Sequence, residues 1–372
     1  MEGEWPDDII SPRFPIPVCH QWKTLTENEF FQRGKKDEKR SNFPSAIRHY
    51  SATLHLNPKY SRAYNRRGNA KYIQGDRVNA EKDWRLAATF ASPEFDETMT
   101  VAEAKIIKSK ILVVEANYEK ALEEAAAAIE ADPTNADAYH QRGFVKSFTG
   151  DISGEIEDFS KCIELKLRLN PFDAYNAYNN RGLAYQDREE WDEAIRDHTE
   201  AIRLQPSYGI AYKHRGKAYR CSGELSLSLN DLTKALGTNP KDVDALVERS
   251  YTYYELGQPA NAMVDCEAAI AIDPLCHDAF TVKAGLMADV GDSEGAIEIL
   301  TGLLDQAPDA FTFRFRAELR ILRQDFEGAK SDYRRCLELD PTDEDVRTRL
   351  EHLEEHLAPP GNGGGRRPQH IE

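Results

Sequence analysis

Small and apolar residues recur along this chain at helical spacing, and the same run returns about every 34 residues. Ala177-Tyr-Asn-Asn-Arg-Gly-Leu-Ala-Tyr185 is echoed by Ala63-Tyr-Asn-Arg-Arg-Gly-Asn-Ala-Lys71 and by Ala211-Tyr-Lys-His-Arg-Gly-Lys-Ala-Tyr219. Twelve residues after Gly34, Gly68, Gly182 and Gly216 come Ala46, Ala80, Ala194 and Ser228, and a further dozen or so bring Pro58, Pro93, Pro206 and Pro240. Tyr178, Gly182 and Tyr185 share one helical face, as do Ala194, Ala201 and Leu204 on the next run. Each unit therefore predicts two helices. The first runs from the aromatic to a turn that often carries glycine (Gly75, Gly150, Gly223, Gly257, Gly291), and the second is stopped by the proline. Glycine at the eighth place and alanine at the twentieth let the two helices cross closely. A bulky residue at the twenty-fourth (Tyr50, Trp84, Phe159, Tyr333) is expected to fill the gap beside the next unit.

Nine such windows fit, at 27–60, 61–94, 102–135, 136–173, 175–208, 209–242, 243–276, 277–309 and 310–343. The third has lost its aromatic opening and has Ser109 for glycine. The fourth carries four extra residues before Pro171, which predicts a second helix longer by about 6 Å. Period, small-residue spacing and aromatics together resemble the tetratricopeptide repeat. The resemblance implies an all-α solenoid, a right-handed superhelix of nine helix-turn-helix units. At the seventh place this chain has Arg33, Arg67, Arg142, Arg181, Arg215, Arg249 and Arg316 where the family commonly has leucine. Such Arg-Gly openings are similar to a subtype frequent in bacteria.

Sixteen residues after most of these arginines stands an acid: Asp83, Asp158, Asp197, Asp231, Asp265 or Asp332. Lys108 and Glu124 are the third unit's version. Base and acid travel together, which predicts a ladder of ion pairs between helices rather than arginines displayed for a ligand. Counting leaves open whether each pair closes within a unit or reaches the next.

The ends differ from the array. Residues 1–26 hold Pro6, Pro12, Pro15 and Pro17 among Trp5, Phe14, Ile16, Val18 and Trp22, an extended lead-in strip. It is expected to pack on the first repeat or to lie in the protein's own groove. Residues 344–357 place Val346, Leu350, Leu353 and Leu357 at helical spacing, the cap helix that an open-ended solenoid needs. Residues 358–372 are rich in glycine and proline and are expected to be disordered.

Composition narrows the function. The 372 residues carry 48 Lys and Arg against 64 Asp and Glu, a net charge of −16. That disfavours nucleic acid and anionic membrane as general partners. No apolar run of roughly 18 residues is present for a membrane span, and the acidic start is not a secretory signal. Six cysteines with no Cys-x-x-Cys pair fit a reducing cytoplasm and give no zinc signature. His352-Leu-Glu-Glu-His356 matches an inverted zinc-peptidase motif, but on a cap helix with no third ligand it reads as a solvated face. Cys162, Cys266 and Cys336 read as buried thiols, and Cys221 as facing the groove. No catalytic constellation, metal or cofactor is expected, and the chain reads as no enzyme.

In the resembled family the first helices line a concave groove. The candidate peptide-binding residues at groove places are Asn65, Asn69 and Tyr72; Phe144, Phe148, Asn176 and Asn179; Lys213, Lys217 and Arg220; and Tyr251 and Tyr254. Arg62 and His140 also fall there. Asparagine pairs with both groups of a peptide backbone, and tyrosine gives rigid contact area. The three bases share a helix face and form a local anion site, unless carboxylates such as Asp187, Asp244 and Glu255 compensate them. The two-carboxylate clamp that holds chaperone C-terminal tails is absent in every frame. Lys213 is followed by Lys217 rather than asparagine, and Asn180 lacks its basic neighbours. The expected function is a non-catalytic scaffold that binds protein or peptide segments, acidic ones among them. The alternative is a regulatory subunit of a separate enzyme, with residues 1–26 as an autoinhibitory groove segment.

Overall fold

A computed structural model describes residues 25–40, 42–91, 100–169 and 174–356. Among the described residues there are nineteen α-helices and no strand. Residues 1–24 and 357–372, which contain most of the lead-in strip and the tail, lie outside that set. By their contacts the helices divide into two units, residues 1–211 and 212–372, each built of antiparallel pairs.

The first unit holds α1 Glu27–Glu38, α2 Phe43–Leu56, α3 Ser61–Ile73, α4 Arg77–Thr89, α5 Val101–Val114, α6 Tyr118–Ala131, α7 Ala136–Lys146, α8 Ile152–Leu169, α9 Tyr175–Asp187 and α10 Trp191–Leu204. Helix α11, Gly209–Cys221, contains the division. The second unit continues with α12 Leu225–Thr238, α13 Val243–Glu255, α14 Pro259–Ile272, α15 His277–Asp289, α16 Ser293–Gln306, α17 Ala310–Leu322, α18 Phe326–Leu339 and α19 Glu344–His356. In both units each helix packs on its sequence neighbours, the nearest-neighbour stacking of a solenoid. Helix α8 has 18 residues where the other second helices have 13 or 14, so the four extra residues lengthen the helix as expected.

Local chemistry starts and stops these helices. Thr26 and Thr100 form capping boxes with Glu29 and Glu103, and Asp76, Asn117, Asp292 and Asp325 cap second helices through a side-chain oxygen. In the eight pairs from α3–α4 onward the turn holds one left-handed residue. Glycine supplies it at 75, 150, 223, 257 and 291, with φ between 67° and 90°. Ala116, Glu189 and Gln324 adopt it at φ 54–62°, at a steric cost that glycine avoids.

The close crossing is real, and the bulky residues named from the sequence lie in it. A Cβ on Gly182 would sit 2.6 Å from the His198 ring, on Gly68 2.6 Å from Trp84, and on Gly34 2.5 Å from Tyr50. The bulky residue at the twenty-fourth place thus lies over the glycine of its own pair. The i→i+16 offset brings it opposite that glycine across the hairpin.

The arginine ladder closes within each pair. Arg67, Arg142, Arg181, Arg215, Arg249 and Arg316 each donate two hydrogen bonds to the aspartate sixteen residues on, at 2.6–3.1 Å. Guanidinium groups of this ladder also use a further N–H to reach back to a hydroxyl on the preceding pair, among them Arg67 to Ser51, Arg181 to Ser160, Arg249 to Thr233 and Arg316 to Thr301. The planar fork of arginine sets two parallel N–H groups on the carboxylate and leaves another for the hydroxyl, a geometry that the point-like lysine ammonium does not match and leucine lacks altogether. Arg33 stands outside the ladder, and His49 pairs with Asp37 instead. At the far end Val346 is fully buried, and Leu350 and Leu353 pack on the cluster of Phe313, Tyr333 and Cys336. Helix α19 therefore covers the last pair.

Candidate functional site

In the first unit, α3, α5 and α7 present their side chains to one another across consecutive pairs. Asn65 and Asn69 sit one turn apart on α3, and both carbonyl oxygens accept hydrogen bonds from Lys110 Nζ of α5, at 3.2 and 3.0 Å. Asn69 also accepts from Trp84 Nε1 at 3.1 Å, and the Trp84 ring lies 5.9 Å from the ammonium. Tyr72 packs 5.5 Å from Trp84 and meets Phe144 of α7 edge-on at 6.3 Å. Phe144 meets Phe148 edge-on at 5.2 Å, and Phe148, 43% exposed, stacks on Tyr118 at 5.2 Å. A continuous aromatic series thus leads away from Lys110.

Cations around this face are held by carboxylates. Arg62 pairs with Glu103, Arg66 with Glu38 and Lys166 with Asp137. Lys110 forms no ion pair among the described residues, only its bonds to the two neutral amides. Burial pulls it down to about 8, with Arg66 and Lys166 pressing the same way and Asp137 and Glu38 opposing. Lys166, ahead of the effect of burial, holds the Asp137 carboxyl well below its ordinary range. His140, bonded to Asn180 at 3.2 Å, is pushed down to about 4 by burial and by Lys166, so it is neutral near pH 7. Asn176 is half-buried beside Tyr175. Asn179 does not belong to the displayed set: it is 2% exposed, and its side chain donates to Asn180.

In the second unit the three bases do share the α11 face, but it is not an open anion site. Lys213, its side chain only 14% exposed, bonds Asp242 and Asp244 at 3.1 Å. Despite its burial, those carboxylates hold it above the ordinary lysine value. Lys217 lies 3.6 Å from Glu248, and Arg220 bonds Glu248 and Glu255 while its guanidinium covers the Tyr251 ring. Four carboxylates on α13 and at its N-cap therefore neutralise three bases. Asp244 and Glu255 were foreseeable from the sequence; Asp242 and Glu248 were not. Tyr251 is half-buried and bonded to Thr281, and Tyr254 is exposed and bonded to Asp289.

Lys110 is the residue the sequence reading passed over. It stands at the ninth place of its unit, a groove place, but that unit has lost the aromatic opening that marks most of the others.

Known proteins agree with this architecture. Sequence models of the tetratricopeptide repeat match residues 31–94, 175–208, 243–274 and 316–343. The human DnaJ homolog subfamily C member 7 is 26% identical over 200 residues, 51% of this chain and 38% of that protein. Bovine tetratricopeptide repeat protein 36 is 30% identical over 121 residues, 31% of this chain and 64% of the relative. The chain thus spans under two thirds of the length of these relatives. Among solved structures, a tetratricopeptide repeat protein from Parabacteroides merdae superposes with a TM-score of 0.58 at 19% identity, covering 68% of this chain and 98% of the other. Human IFIT1, solved as a dimer with PPP-AAAA, gives 0.61 at 16% identity over 90% and 83%. At such identity these likenesses speak for the fold alone. With family matches in both units, on helices crossed over a small residue and stacked neighbour on neighbour, the chain belongs to the tetratricopeptide repeat family.

Proposed function

We propose that this protein is a non-catalytic scaffold that binds extended segments of other proteins on the first-helix face of its first unit. Members of its family generally mediate protein–protein interaction. The observation that carries the reading here is the aromatic series Tyr72–Phe144–Phe148, half-exposed at its end and adjoining the asparagine pair on α3. Rigid aromatic area beside amides that can bond a peptide backbone is the composition of a peptide-binding surface. A catalytic role finds no support in the thiols. Burial pushes Cys162 up to about 12, Cys266 and Cys336 up to about 11, and Cys221 upward too, so all four are thiols rather than nucleophilic thiolates near pH 7. Free cysteines at all five described positions favour a reducing compartment such as the cytoplasm. No helix among the described residues is long and apolar enough to cross a membrane. A net charge of −16, with the ladder arginines engaged by aspartates, argues for protein rather than RNA as the ligand.

The test is affinity capture on the full chain, run beside the double variant Asn65→Ala, Phe148→Glu. Both positions are on the face and outside the ladder, so helicity should be retained. Proteins captured by the wild type should be lost from the variant. An identical captured set would remove this face from consideration.

A further inference from the structure

The α3–α5 end of this face carries one positive charge whose surroundings are incomplete. Arg62, Arg66, Lys71, Lys105 and Lys166 each have a carboxylate within 3.3 Å. Lys110 has only the two asparagine carbonyls, which engage two of the three donors an ammonium offers. The Trp84 ring covers it on one side, and Tyr72, which packs on that ring, leads to Phe144 and Phe148. Within a chain so acidic overall, this is a positive point set at the head of an aromatic strip.

We infer that Lys110 receives the side-chain carboxylate of an aspartate or glutamate in a bound peptide, whose neighbouring aromatic or branched side chain lies against Tyr72, Phe144 and Phe148. The inference rests on the peptide-binding reading above and names its ligand. One cation with one donor to spare matches a singly charged carboxylate. A phosphate dianion would need a second cation free of carboxylates, and the adjacent ones are engaged. A bound carboxylate would also replace the solvation that Lys110 has lost, so the interaction would be stronger than a surface ion pair. The two asparagines hold the ammonium in place beforehand, which lowers the ordering cost of binding.

A random dodecapeptide library displayed against the full-length protein supplies the probe. A recovered peptide is then made with a fluorescent label and followed by anisotropy. The expected consensus places Asp or Glu within three positions of an aromatic or branched residue. Lys110→Gln, checked for unchanged helicity, should weaken the peptide at least tenfold, and replacing the peptide's acid by its amide should do the same. The two changes together should cost little more than either alone. Wild-type affinity should fall between pH 7 and pH 9 as Lys110 discharges, whereas Lys110→Arg should bind at pH 7 and keep its affinity to pH 9. Peptides that bind Lys110→Gln as tightly as wild type, yet are lost with Phe148→Glu, would overturn the carboxylate assignment and leave the face reading intact. Recovery of no peptide, or of peptides indifferent to both changes, would overturn the face reading as well. Binding of a 5′-triphosphate oligonucleotide that depends on Lys110, without any acidic peptide, would assign the site to RNA and overturn the inference.

Discussion

Single residues show most clearly where the repeat rule is broken. Glu155 stands at the twentieth place of its unit, where the other units carry alanine or serine. It is 4% exposed, and its Oε2 has no hydrogen-bond partner. Burial, with the nearby carboxylates of Asp187 and Asp151, pushes it up to about 7. Lys146, the near cation, is engaged with Asp151 and Asp158. The folded state therefore prefers the protonated acid. Its contribution is fully present below the unfolded value near 4.5 and is lost as pH rises through about 7. Urea unfolding of wild type and Glu155→Gln at pH 5 and pH 8 should show the wild type losing about 2–3 kcal/mol relative to the variant over that range. A difference independent of pH would mean that Glu155 is solvated or paired. Glu155 was not singled out from the sequence, whereas the Arg–Asp ladder was legible because base and acid recur unit by unit. The hydroxyls at the twenty-fifth place were not legible. Serine and threonine are common on helices, and nothing in their spacing distinguishes a staple from a solvated side chain.

At the scale of elements, the helices and their pairing were written in the small-residue spacing, and the length of α8 in its four extra residues. What the spacing did not say was that the bulky group at the twenty-fourth place closes over the glycine of its own pair, because a period identifies places but not the direction in which a side chain lies. That geometry gives a paired prediction. Gly182→Val must displace the fully buried His198 ring and should destabilise by about 2–4 kcal/mol. Hydrogen exchange should quicken first in α9 and α10. Gly302 lies inside α16 with nothing within 4 Å of where a Cβ would be. Gly302→Ala should stabilise by about 0.5–1 kcal/mol, since alanine lowers the backbone entropy lost on folding. Equal effects of the two substitutions in thermal denaturation would show that the crossing, not merely helix propensity, has been misjudged.

For the whole molecule, the period gives an array but no division. Residues 211 and 212 fall inside a helix that the pattern treats like any other, and no proline or glycine run marks the place. The candidate site was legible in part for a related reason. Groove places could be counted on the first helices, so Asn65, Asn69, Tyr72, Phe144 and Phe148 could be singled out as candidates. Which charges are already satisfied depends on the neighbouring pair, so the sequence left open whether carboxylates compensate the α11 bases, and Lys110 was not among its candidates. The same neighbour dependence governs stability. Asp197 and Asp265 are 5% and 3% exposed and receive the forks of Arg181 and Arg249, which also reach Ser160 and Thr233. Removing one arginine leaves a buried carboxylate uncompensated, at a cost of about 3–5 kcal/mol. In a solenoid that cost is borne by adjoining pairs rather than shared evenly. Arg181→Ala should therefore raise hydrogen exchange in α8–α10 while the second unit keeps its protection, and Arg249→Ala should do the reverse around α12–α14. Replacing both partners, Arg181→Leu with Asp197→Leu, should recover much of the loss, because no charge is then left buried. If either single variant melts both units in one transition, stability is not carried pair by pair, and the ladder is a global rather than a local fastening.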